Sequence, residues 1–246
     1  KLLAENPNTL FVLAGDFLNP SLYGTIKGDD GKTVSGRQMI ETMNVAGVDV
    51  VAFGNHEFDV KEAVLQARIN ESEFQWIGTN VLQTRVDSLS PFSSKNKAKY
   101  LAPFYKEKNG QKAYLPETFS WKIKDEDGTE LTIGLFSATI NSNPKPFVKY
   151  EDFMAEAIKT YLELACQSDI VLGLTHLLIE DDMLLASKLP NVPLLMGGHE
   201  HHHMNVQVGD VKITKADANA KTAWVHRFTF NKQTKTHTKN VSSIDF

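Results

Sequence analysis

Six short runs of β-branched and aliphatic residues, at positions 9–14, 48–53, 74–80, 131–136, 169–174 and 192–196, constrain how this chain can fold. Runs of this length and composition read as buried strands. Most of them end at a polar or glycine-rich turn. Between them lie helix-like segments. Residues 152–167 place Met154, Ala157, Ile158, Tyr161, Leu162 and Ala165 at helical spacing on one face. Residues 36–46 form a second, with Ser35 as its N-cap and Gly47 at its end. Strands alternating with helices predict an α/β fold. Two hairpins interrupt the alternation. Phe119, Trp121 and Ile123 precede Asp127-Gly128, and Leu131, Ile133 and Leu135 follow it. Val206 and Val208 precede Gly209-Asp210, and Val211 and Ile213 follow. Mixed sheets are therefore expected. The polar stretches 27–35 and 87–99 read as exposed loops, and Trp224, Phe228 and Phe230 alternate as sheet-face residues of a late strand.

With 246 residues, 41% of them apolar, the chain can bury a sizeable core. Its 26 basic and 30 acidic residues are spread along the sequence for a net charge of -4, which leaves no broad basic surface for a nucleic-acid polymer. The longest apolar stretches, 10–15 and 170–174, fall far below the ~20 residues of a membrane-spanning helix. The single cysteine, Cys166, excludes an internal disulfide, and its amphipathic surroundings predict a buried, inert thiol.

Four segments put metal-ligand residue types directly after expected strands, where an α/β sheet presents its strand ends to a ligand. They are Gly15-Asp16, the segment Gly54-Asn55-His56-Glu57-Phe58-Asp59, Thr175-His176, and Gly197-Gly198-His199-Glu200-His201-His202-His203. Each alone also fits a structural role. A Gly-Asp pair fits a turn or helix cap, and a lone strand-end histidine fits a hydrogen-bonded residue of the core. The last segment is the strongest, with four of the eight histidines inside five positions of an internal stretch. A His-x-His spacing on extended backbone points both rings the same way. His199 and His201 satisfy it, and so do His201 and His203, so spacing does not choose between the pairs.

Taken in order, Gly-Asp, Gly-Asn-His-Glu, a strand-end His and Gly-His-x-His resemble the calcineurin-like metallophosphoesterases. Gly54–Asp59, together with the segments at 43–49, 78–81 and 174–177, resembles the 5'-nucleotidase branch. The resemblance implies a two-sheet mixed β sandwich flanked by helices, a four-layer α/β/β/α fold with metals at the strand ends. It implies two divalent ions, manganese, zinc, iron or a mixture. Asp16 would bridge them, Asn55, His176 and His199 would complete one site, and His201 would contribute to the other. It also implies that His56 serves the leaving-group oxygen, oriented by Asp59, in a phosphomonoesterase whose metal pair, ~3.5–4 Å apart, activates a bridging hydroxide. The partner would be a small phosphorylated substrate, a nucleotide, and the location periplasmic or extracellular, although no signal peptide is visible.

The chain also departs from that pattern. Lys1–Gly15 contains no aspartate or histidine, whereas the family carries an Asp-x-His at an earlier strand. The whole of 1–246 is thus expected to be one catalytic domain lacking its first strand and Asp-x-His motif, and lacking a C-terminal substrate domain. Two alternatives stay open. One is a phosphodiesterase or nucleotide-sugar hydrolase on the same metal core, and the other is a non-catalytic binding protein with a degraded first metal site.

Overall fold

The computed structural model describes residues 2–86 and 99–246, so nearly all of the polar stretch at 87–99 lies outside the described residues. All six apolar runs contain strands. Val12–Leu13, Val50–Ala52 and Gln75–Ile77 pair in parallel, in chain order, as a three-stranded sheet. Glu130–Thr139, Ile170–His176 and Leu194–Gly197 belong to a six-stranded sheet. Its order is Met204–Val208, Val211–Lys215, Leu194–Gly197, Ile170–His176, Glu130–Thr139, Thr118–Lys124. The inner pairings are parallel. Both edge pairings are antiparallel and are the two expected hairpins, with Ile123 opposite Leu131 and Val208 opposite Val211.

Side-chain alternation along these strands builds the layers, because successive residues point to opposite faces. Val50, Ala52 and Ile77 of the smaller sheet pack against Leu135, Ile170, Leu172, Leu174 and Leu194 of the larger one. The intervening Val51, Phe53 and Trp76 face outward and meet Ile40, Leu65 and Ile69 of the helices Arg37–Ala46 and Glu62–Glu71. On the far side Phe136, Val171, Leu195 and Ile213 meet Ala157, Leu164, Leu185 and Ala186 of the helices Phe153–Ala165 and Ile179–Lys188. The result is the four-layer α/β/β/α arrangement. Each fully buried aliphatic side chain contributes roughly 1.5–3 kcal/mol. The middle layer therefore holds the two sheets in one register, which is what the site requires. Phe228 and Phe230 of the strand Thr222–Asn231 pack on that same layer, as sheet-face residues.

Three local expectations need correction. The helix at 153–165 buries Ala157, Thr160 and Leu164, and Leu162 is 59% exposed. The inward stripe runs through 157, 160 and 164, so Leu162 and Cys166, one turn apart, share the outer face. Cys166 is accordingly exposed rather than buried, with its Sγ 3.4 Å from the Leu162 carbonyl oxygen. At the helix Arg37–Ala46 the N-cap is Gly36, not Ser35, whose hydroxyl pairs with Thr33 instead. Gly47 does close that helix, its N–H donating to the Met43 and Asn44 carbonyls. Among the described residues no helix is long and apolar enough to cross a membrane.

Candidate metal centre

Parallel pairing aligns Leu13 with Val51, so the turns that follow, Gly15-Asp16 and Gly54-Asn55, emerge side by side at one sheet edge. These turns touch. A Cβ at Gly15 would collide with the Gly54 backbone, and one at Gly54 with the Asp16 carboxylate, so only glycine permits the approach. Glu57 is fully buried beneath them and its carboxylate accepts the N–H groups of Asp16 (2.7 Å), Phe17 (2.8 Å), Leu18 (3.2 Å) and Gly54 (2.7 Å). One carboxylate thereby staples both turns. Burial, with the Asp16 charge beside it, pushes the Glu57 carboxyl up against the pull of those donors.

The larger sheet delivers the histidines by the same logic. Thr175 pairs with Gly197, and the Gly198 N–H donates to the Thr175 carbonyl at 2.9 Å, so His176 and His199 emerge together with ring centroids 5.2 Å apart. His176 Nδ1 reaches across to the Ala14 carbonyl of the other sheet at 2.6 Å. A ring nitrogen facing a carbonyl must carry the hydrogen, which turns Nε2 toward Asp16. His176 Nε2 and Asp16 Oδ2 lie 2.8 Å apart. They are not aligned as a hydrogen bond, and both are buried polar atoms without a hydrogen-bond partner, as is Asn55 Oδ1. The ligand atoms of Asp16, His176 and His199 all lie within 4.8 Å of one another.

Charge shapes this group. Although burial opposes it, the Asp16 carboxyl sits below its usual range because His176 and the His56 N–H favour the carboxylate. Burial likewise opposes the charged form of His176, yet Asp16, the Ala14 carbonyl and Glu57 hold that ring up. Burial, with the neighbouring His176, pushes His199 down. Asp16 and His199 also adopt left-handed backbone, with φ of 58° and 78°. Non-glycine residues take that conformation at a cost of order 1–3 kcal/mol, met where a site over-determines the backbone. Carboxylate and imidazole atoms gathered this closely fit a divalent cation such as manganese, zinc or iron.

Of the seven residues singled out from the sequence, Asp16, His176 and His199 gather at this point, Asn55 follows Gly54 on the turn packed against Asp16, and His56 and Asp59 stand beside it. His201 is exposed, also left-handed with φ 61°, and outside the cluster. His203 packs edge-on against Trp224, with centroids 4.4 Å apart. Among the described residues the Asp16–His176–His199 triad is the one group of three such side chains close enough to share an ion.

His56 ties into the triad through its backbone N–H, which donates to Asp16 Oδ1 at 2.7 Å. Its Nδ1 lies 2.6 Å from Asp59 Oδ2. Asp59 accepts from the Asn143 amide at 2.7 Å and faces Lys145 Nζ at 3.4 Å. These partners and His56 outweigh burial and keep the Asp59 carboxyl below its usual range. A carboxylate partner requires that His56 Nδ1 carry the hydrogen. The same Asn143 amide donates to the Asn55 carbonyl at 2.9 Å, joining ligand turn and dyad. Sequence reasoning missed Asn143, Lys145 and the stapling role of Glu57. The usable signal was position, since 141–145 follows the strand Glu130–Thr139, whose end lies at the edge where the other motifs emerge.

No protein-family model matches the chain. The trifunctional nucleotide phosphoesterase protein YfkN of Bacillus subtilis is 24% identical over 218 residues, covering 80% of this chain and 14% of its own length. The 5'-nucleotidase of Mus musculus is 24% identical over 205 residues, covering 80% of this chain and 30% of its own. The chain thus spans less than a third of these relatives. Among solved structures, the calcineurin-like phosphoesterase YfkN from Bacillus subtilis superposes with a TM-score of 0.72 at 17% identity, over 99% of this chain and 79% of that one. The 5'-nucleotidase precursor from Thermus thermophilus gives 0.70 at 19% identity, over 99% and 46%. At those identities the superpositions speak to fold. In sequence and in fold the chain is thus similar to calcineurin-like phosphoesterases and 5'-nucleotidases.

Proposed function

We propose that this chain is the metal-binding core of a nucleotide phosphoester hydrolase, with one divalent ion held by Asp16, Asn55, His176 and His199. The observation that carries this is the triad of Asp16, His176 and His199, whose ligand atoms lie within 4.8 Å of one another, with Asn55 Oδ1 buried and without a hydrogen-bond partner on the turn packed against Asp16. An ion held there supplies positive charge to a phosphoryl group and acidifies water. His56, with Nδ1 committed to Asp59, has Nε2 left to donate a proton to a departing oxygen. Its side chain is 39% exposed, so a substrate can reach it. Asp59 holds the ring in place through Nδ1–H and stabilises the imidazolium, which returns to the neutral ring once the Nε2 proton has passed to the departing oxygen, and Asn143 and Lys145 keep Asp59 charged.

A broad phosphoester range, taking diesters and nucleotide sugars as well as monophosphates, fits better than a strict two-metal 5'-nucleotidase. His201 lies outside the triad, and one candidate metal cluster is found among the described residues. The Bacillus subtilis relative is itself named a trifunctional nucleotide phosphoesterase. The test is a manganese-loaded assay on AMP, a nucleotide sugar, a 2',3'-cyclic nucleotide and bis-p-nitrophenyl phosphate. Metal-dependent turnover of a diester is the expected result. Manganese binding without turnover of any of the four would favour the non-catalytic binding reading.

A further inference from the structure

Lys215 ends the strand Val211–Lys215 and has no side-chain exposure, nor has its partner Asp182 in the first turn of the helix Ile179–Lys188. Lys215 Nζ lies 2.8 Å from Asp182 Oδ2, donates to the Leu177 carbonyl at 2.5 Å, and stands 3.9 Å from Glu200 Oε1. Leu177 is the residue after His176, and Glu200 the residue after His199. Glu200 Oε1 in turn accepts the Ile179 N–H at 2.6 Å. A single ammonium therefore binds the His176 turn through the Leu177 carbonyl and faces the charge of Glu200 on the His199 turn. The backbone runs directly over the pair, since a Cβ at Gly197 would stand 3.0 Å from Lys215 Cε and 3.2 Å from Asp182 Oδ2.

Stability is a poor account of this arrangement. Removing two charges from water offsets most of their attraction, and well-packed apolar residues of similar volume often hold a fold equally well. What an apolar pair lacks is directed donors. An ammonium supplies one to the Leu177 carbonyl, and its charge also faces Asp182 at 2.8 Å and Glu200 at 3.9 Å, on two further elements.

We propose that Lys215 is a positioning residue for the metal centre, its buried ammonium bracing the His176 and His199 turns in ligand-ready register. This rests on the reading of Asp16, Asn55, His176 and His199 as metal ligands.

Lys215→Met alone leaves Asp182 buried without a partner, so the variant to make is the double change Lys215→Met/Asp182→Leu, which keeps volume and removes both charges. Amide hydrogen exchange at 176–179 and 197–200 is followed without metal, and Mn(II) affinity is followed by calorimetry. The double variant is expected to fold, to exchange faster at both turns, and to bind Mn(II) about 10- to 100-fold more weakly, the usual loss when groups behind metal ligands are removed. Wild-type exchange and affinity in the folded variant would overturn the proposal. If the double variant does not fold, Glu200→Gln decides, because it keeps an acceptor for the Ile179 N–H, removes the charge that faces Lys215 and leaves the buried pair in place. Unchanged exchange and affinity there also overturn it. His199→Ala separates the two readings: if it binds Mn(II) as the wild type does, the ligand assignment fails. The brace is then judged on hydrogen exchange alone, where no change refutes it.

Discussion

Asp16 and His176 come from different sheets, yet Asp16 Oδ2 and His176 Nε2 face each other at 2.8 Å in a buried space without forming an aligned hydrogen bond. Without an ion the two groups face each other as a buried charge pair, whose attraction is largely offset by the cost of removing both from water. A cation shared with His199 and Asn55 would satisfy both. Replacing His199, which is only half-buried, by alanine should leave folding intact and weaken Mn(II) binding at least tenfold. Calorimetric titration of the two proteins checks this, and equal affinities would remove His199 from the ligand set.

The dyad makes a different demand. His56→Ala should cut turnover of a phosphodiester roughly 100- to 10,000-fold, the usual range for a general acid, with Mn(II) affinity nearly unchanged. Asn143→Ala, which frees Asp59 and the Asn55 carbonyl together, should lose less turnover than His56→Ala. Turnover and metal content measured on the same preparations test both, and parallel loss of the two in His56→Ala would contradict the assignment.

Glu57 supports the site from beneath. Glu57→Gln keeps the shape but turns an NH2 group toward backbone donors that now meet a carboxylate. Hydrogen bonds to charged groups are worth about 1.5–3 kcal/mol. The variant should therefore melt several degrees lower, and metal affinity should fall because Asp16 loses its anchor. Thermal unfolding with and without Mn(II) measures both effects, and an unchanged melting temperature would deny Glu57 its stapling role.

Acid sensitivity should trace in part to His226, whose Nε2 pairs with the Thr214 hydroxyl at 3.0 Å. Burial, helped by the Lys239 ammonium, lowers its pKa from 6.5 to about 4. The folded state favours the neutral ring, so this contribution is fully present above pH 6.5 and declines as pH falls toward 4, while the unfolded chain takes up the proton first. At 1.36 kcal/mol per pKa unit the loss approaches about 3 kcal/mol. His226→Gln should flatten that part of the stability curve. Denaturant unfolding of both proteins between pH 7 and 4 is the measurement, and parallel curves would exclude His226 as the cause.

Legibility in the sequence divides by range. The six apolar runs, the two hairpins and the order of the four strand-end motifs were legible because each is a local pattern, a few residues whose period or turn chemistry acts on near neighbours. Even locally the reading failed where one face had to be chosen. On the helix Phe153–Ala165 the buried Leu164 and the exposed Leu162 are both leucines, and only the sheet beneath selects between them. That choice also decided that Cys166 faces outward.

By itself the sequence determined the alternation of strands and helices, and it put Asp16, Asn55, His176 and His199 each at or within three residues of the C-terminal end of a strand. Tertiary structure alone decided that Asp16, His176 and His199 meet and that His201 stays outside. It also recruited Glu57 to Asp16 across 41 positions, Asn143 to Asp59 across 84, and Lys215 to Leu177 across 38. The physical reason is that such contacts have no local signature. Their distances follow from the packing of two sheets through one shared apolar layer, and no spacing along the chain encodes that depth and register.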